Sequence, residues 1–120
     1  MRVLIVEANS NLGALWRDHL NRQGCEAHLA SGEAEAVKSL RFFRPAMVVI
    51  NLNLSEGEAL RIADFTAYQC PSAQVIFVTS SRFFSDGSIF SHAPNACACV
   101  PDSIQPHELC AMVEHWGASV

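Results

Sequence analysis

Three short, unbroken apolar runs restrict the fold more than any other feature: Val3-Leu4-Ile5-Val6, Met47-Val48-Val49-Ile50 and Val75-Ile76-Phe77-Val78. A strand with one wet face alternates apolar and polar residues. A run without alternation belongs to a strand covered on both faces, which is the situation inside a parallel sheet. Two weaker segments complete the set. Cys25-Glu26-Ala27-His28-Leu29 alternates, which predicts an edge strand with one wetter face. Ala96-Cys97-Ala98-Cys99-Val100 is short and rich in small residues, which predicts the opposite edge.

Helical patterns lie between the strands. Leu12, Leu15, Trp16 and Leu20 share a face of a helix that Ser10 would cap and Gly24 would close. Ala34, Val37 and Leu40 share a face after Ser31, with Glu33 and Glu35 in the first turn, where the helix dipole favours them. Ala59, Leu60, Ala63 and Ala67 follow a capping box from Ser55 to Glu58. Leu109, Met112, Val113 and Trp116 form a stripe between Pro106 and Gly117. The stretch 80–95 is rich in serine and irregular, so a helix there is expected to be short. Strand and helix alternate five times, which requires right-handed crossovers and a parallel sheet with helices on both faces. The expectation is an α/β fold: one domain over residues 1–120, a doubly wound five-stranded parallel sheet in the order 2-1-3-4-5.

Composition narrows the function. The net charge is −4, only 17% of residues are charged, and the eight basic residues form no run. That argues against nucleic acid as a partner, because a polyanion calls for clustered cations. The opening apolar run is too short for a secretion signal, and no stretch approaches a membrane span. Five cysteines, an odd number, fit reduced thiols better than a disulfide framework, so the expected location is the cytoplasm.

Ligands of open parallel sheets bind beyond the carboxyl ends of the strands. Those ends carry Glu7, Ala8 and Asn9, then Asn51, Leu52 and Asn53, then Thr79 and Ser80, then Val100 and Pro101. Around these positions the chain resembles the receiver domains of bacterial response regulators, the CheY-like (βα)5 family of flavodoxin-like fold. The stretch Ile5-Val6-Glu7-Ala8-Asn9-Ser10-Asn11-Leu12 resembles the family's opening. Arg44 to Leu54 is similar to its third strand and phosphorylation loop, Val75 to Ser80 to its fourth strand, and Val100-Pro101 falls where the family has Lys-Pro.

The resemblance implies a pocket with five parts: two acids after the first strand that help hold Mg²⁺, an Asp acceptor ending the third strand, a hydroxyl after the fourth, and a Lys after the fifth. This chain keeps the first acid as Glu7 and the hydroxyl as Thr79. It has Ala8 at the second acid, Asn51 at the acceptor and Val100 at the lysine. A carboxamide cannot form an acyl phosphate, and Mg²⁺ wants anionic oxygen ligands in a near-octahedral shell. The expectation is an atypical pseudo-receiver that is not phosphorylated, binds Mg²⁺ weakly or not at all, and is no enzyme. The family's aromatic switch position is Cys97 here, which breaks the usual coupling to Thr79.

The expectation is therefore an interaction module with no output domain. Its expected partner is a histidine kinase, a phosphotransfer protein or another regulator. Phe83, Phe84, Ile89 and Phe90 form an aromatic cluster on the stretch corresponding to the family's fourth helix. They are either an exposed interface, including a homodimer face shared with the fifth strand and last helix, or core residues beneath a loose helix. Alternatives stay open. One is a substitute phosphoacceptor, Ser55 or Ser80, although no activating base is evident for either. Glu7 and Thr79 would serve a ligand-switched pocket. A flavodoxin-type or dinucleotide binder would need a phosphate loop after the first strand, and residues 7–11 supply none. Cys97 and Cys99, two apart on a strand and therefore expected on one side, and His107 with Cys110 and Glu114, would be metal or redox sites; ordinary packing explains both sets more simply.

Overall fold

The computed structural model describes residues 1–52, 56–80 and 93–118. In chain order the elements are β1 (Arg2–Val6), α1 (Ser10–Arg22), β2 (Glu26–Ala30), α2 (Glu33–Phe42), β3 (Met47–Asn51), α3 (Glu56–Gln69), β4 (Gln74–Thr79), β5 (Ala96–Pro101) and α4 (Pro106–Ala118). The strands form one parallel sheet in the order β2-β1-β3-β4-β5. The three apolar runs are its central strands, buried along their apolar length, and the two weaker segments are its edges, as expected. The irregular stretch expected to hold a short fourth helix, with its cluster Phe83, Phe84, Ile89 and Phe90, lies outside the described residues; so does Ser55.

Side chains alternate across the sheet into two cores. Leu4, Val6, Val48, Ile50, Val75 and Phe77 pack beneath α2 and α3 with Leu40, Ala59 and Ile62. Val3, Ile5, Val49, Ile76 and Val78 pack beneath α1 and α4 with Trp16, Leu20, Leu109 and Val113. Among the described residues, no helix is long and apolar enough to cross a membrane.

Several helix details differ from the sequence expectation. The cap of α1 is Asn9 rather than Ser10: its Oδ1 accepts from the backbone N–H of Asn11 and Leu12 at 3.0 and 3.2 Å. An Asx side chain in extended backbone one residue earlier takes the orphan donors first. Leu15 is about half exposed, and the buried residues of α1 are Gly13, Trp16 and Leu20. A Cβ on Gly13 would lie 2.5 Å from Leu29 Cδ1 and 3.3 Å from Glu7 Cβ, so glycine is what lets α1 approach the sheet this closely. In α2 the buried pair is Ala36 and Leu40, with Ala34 exposed; in α3, Ile62 and Thr66 are buried and Ala67 is exposed.

Cys97 and Cys99 do not share a side. Val75 pairs with Ala96 and Ile76 with Ala98, so the β4–β5 register slips by one residue at Cys97. Cys97 then packs against the α1/α4 core and Cys99 against the other. A bulge inserts one residue and breaks the two-residue period on which the same-side expectation rested.

Candidate functional site

The carboxyl ends of β1, β3 and β4 bring Glu7, Asn51 and Thr79 to one edge of the sheet. All three are buried, at 4%, 2% and 8% exposure. Glu7 is positioned from both sides: its backbone N–H donates to Ala30 O at 3.0 Å, extending the β1–β2 ladder. Its Oε1 accepts from Asn9 N at 2.9 Å. Its Oε2 accepts from Asn51 Nδ2 in a close hydrogen bond. The strand ends are tied on by Leu52 N–H donating to Val78 O at 2.7 Å and Asp102 N–H donating to Thr79 O at 3.0 Å.

A buried carboxylate must be compensated by a cation or by hydrogen bonds to its charged form. Here the compensation comes from the protein, one N–H to each oxygen. The same fact tests the pocket against Mg²⁺. The carboxylate oxygens of Glu7 are already engaged, Ala8 is exposed and carries no oxygen on its side chain, and Asn51 turns an N–H toward Glu7. A hard dication wants several oxygen ligands with anionic charge. The residues present do not fit it.

The remaining positions singled out in the sequence lie as follows. Val100 is buried in the α1/α4 core beside Val78, so an apolar side chain packs where the family's lysine would stand. Cys97 is half-buried at the bulge, and burial pushes its thiol up to about 11. Burial likewise raises Cys25, Cys70, Cys99 and Cys110, so none is a poised thiolate. On α4, Cys110 Sγ lies 3.8 Å from Glu114 Oε1, but no group of three metal-ligating side chains exists among the described residues. Ser80 is exposed after β4. The sequence reading placed Glu7 and Asn51 in one pocket but missed their hydrogen bond. It also missed Asn9, whose side chain caps α1 while its N–H holds Glu7; the Glu-Ala-Asn spacing is its only sequence signal.

No protein-family model matches the chain, and no curated protein matches it. Solved structures do. A CheY-like response regulator receiver domain protein from Methanospirillum hungatei JF-1 is similar with a TM-score of 0.87 at 17% identity, over 98% of this chain and 94% of that one. A response regulator from Thermotoga maritima gives 0.83 at 19% identity, over 98% and 97%. Another Thermotoga maritima response regulator, solved in complex with Mg²⁺-BeF, gives 0.77 at 22% identity, over 96% and 97%. The chain therefore has the fold of CheY-like response regulator receiver domains.

Proposed function

We propose that the chain is a receiver-like signalling module of a two-component or phosphorelay system that accepts no phosphoryl group and acts by protein–protein contact rather than catalysis. The observation that carries this reading is the buried hydrogen bond from the Asn51 amide to Glu7. A phosphoryl acceptor needs a carboxylate whose charge is met by a metal; this pocket has a carboxamide that meets the charge of Glu7 itself. A histidine kinase, a phosphotransfer protein or another regulator is the expected class of partner.

Incubation with acetyl phosphate and Mg²⁺, followed by Phos-tag electrophoresis and intact mass, tests the loss of acceptor chemistry. The expected result is an unmodified chain. A phosphorylated species mapping to Asn51, Ser80 or a neighbouring serine overturns the reading.

A further inference from the structure

Among the described residues, β4–β5 is the only strand pair whose register is broken. Val75 faces Ala96 and Ile76 faces Ala98, so Cys97 is the extra residue. Along β5, Ala96 packs on the α2/α3 side, Cys97 and Ala98 together on the α1/α4 side, Cys99 on the α2/α3 side and Val100 on the α1/α4 side. The strand is held on either side of this irregularity. Before it, the Val75 N–H donates to Asn95 O at 3.0 Å, and the Asn95 amide donates to Ala63 O on α3 at 3.1 Å. After it, Val100 is buried, and the Asp102 N–H donates to Thr79 O at 3.0 Å. Between these ties, Ala96, Cys97, Ala98 and Cys99 are all half-buried.

A bulge between two fixed ends has to sit somewhere in the interval, and side chains decide where. Large apolar side chains on alternate faces pin a register, as in β4, where Val75, Ile76, Phe77 and Val78 are fully buried. The interval on β5 offers only Ala-Cys-Ala-Cys. If the extra residue is taken up one step earlier, Ala96 and Cys97 come together on the α2/α3 side against Val75. Ala98 keeps its place against Ile76, and Cys97 alone changes side. Both arrangements contain one bulge, so neither loses ladder hydrogen bonds that the other keeps. They differ by one small, half-buried side chain moved from one core to the other, where a leucine or phenylalanine would forfeit most of its packing.

We propose that β5 exchanges between two registers by moving its bulge one residue, which turns Cys97 from the α1/α4 core to the α2/α3 core and onto the same side as Cys99. The strand then has two discrete arrangements, and a protein that contacts either one more favourably selects it. The device needs neither acceptor chemistry nor a metal in the pocket, so it goes beyond the proposed function and fails or stands separately from it.

The experiment is amide NMR relaxation dispersion on the full chain, with saturation-transfer spectra to catch slower exchange. Rearrangements of this kind fall in the microsecond-to-millisecond range, and a second register populated at roughly 1–10% is detected. The expected result is exchange at Ala96, Cys97 and Ala98 and at the facing Val75 and Ile76, with none in β1. Deletion of Cys97 removes the extra residue and leaves every other side chain of β5 on its own side, so the exchange should disappear. Ala96→Val fills the side onto which Cys97 turns and should suppress the exchange as well; it carries the test if the deletion variant does not fold, which melting curves report. No exchange at these residues in the parent overturns the proposal. Exchange that survives in a folded deletion variant or in Ala96→Val also overturns it, because the motion then does not belong to the bulge. Neither result touches the phosphorylation test.

Discussion

Asn51→Asp restores the acceptor carboxylate in name, and the structure predicts that it destabilises the metal-free protein. The side chain is 2% exposed and its amide donates to Glu7, itself 4% exposed. The substitution replaces that donor with a second acceptor. Two ionised carboxylates about 4 Å apart at an effective dielectric of ~20 repel by about 4 kcal/mol. The escape is for the pair to keep one proton. At pH 7 that costs about 1.36 kcal/mol for each of the ~3 units between the pH and an ordinary Asp pKa, again about 4 kcal/mol. The expected loss at pH 7 is therefore about 2–4 kcal/mol, the lower end allowing for relaxation toward solvent.

The pH dependence carries a definite sign. The folded variant holds a proton that the unfolded chain releases, so its stability relative to the parent falls as pH rises above about 4 and levels off once the folded pair ionises. Urea denaturation of parent and variant from pH 4 to pH 8, in EDTA and in Mg²⁺, measures this. The gap should open with pH, and Mg²⁺ should narrow it for the variant while leaving the parent's midpoint unchanged. A variant as stable as the parent at pH 7 in EDTA would refute the argument that the amide stands where a cation otherwise must.

Four further outcomes are expected. Ile76→Ala, in the middle of β4 and fully buried, should cost about 2–5 kcal/mol in urea melts. Trp16→Phe should cost under about 1.5 kcal/mol, because the buried Nε1 of Trp16 has no hydrogen-bond partner among the described residues and its removal offsets much of the lost packing. Cys97, with its thiol at about 11, should react with iodoacetamide under native conditions at pH 8 as if about one part in a thousand were thiolate, gaining tenfold per pH unit. Glu35 is held below its ordinary value, chiefly by the Ser31 hydroxyl and then by the Ser31 backbone N–H. Its contribution to stability is present above the unfolded-state value and lost as pH falls through the folded-state value. Ser31→Ala should raise the Glu35 carboxyl in an NMR titration.

The sheet order was legible because buried parallel strands leave unbroken apolar runs, and the two edges were legible because Glu26, His28 and the small residues of β5 break that pattern. Helix faces were less legible. On α1, counting apolar residues favoured Leu15 over Gly13, because a close helix–sheet approach rewards a glycine that carries little hydrophobic signal; on α2 it could not tell Ala34 from Ala36, and on α3 it passed over Thr66, whose buried hydroxyl is satisfied by Ile62 O. The slip at Cys97 left no mark in composition. In the pocket, the family resemblance aligned Glu7, Asn51, Thr79 and Val100 at the strand ends. It could not show that Asn51 turns its amide onto Glu7, since that depends on the distance between β1 and β3 rather than on either segment.

The most direct test of the central claim is an amide NMR titration with Mg²⁺ alone and then with Mg²⁺ and beryllofluoride, the mimic of a phosphorylated carboxylate. The account predicts no saturable shifts at Glu7, Asn51 or Thr79 under either condition. Saturable shifts at those residues would mean that the pocket still takes up a cation or an anion, and would contradict a receiver fold whose pocket is closed by its own asparagine.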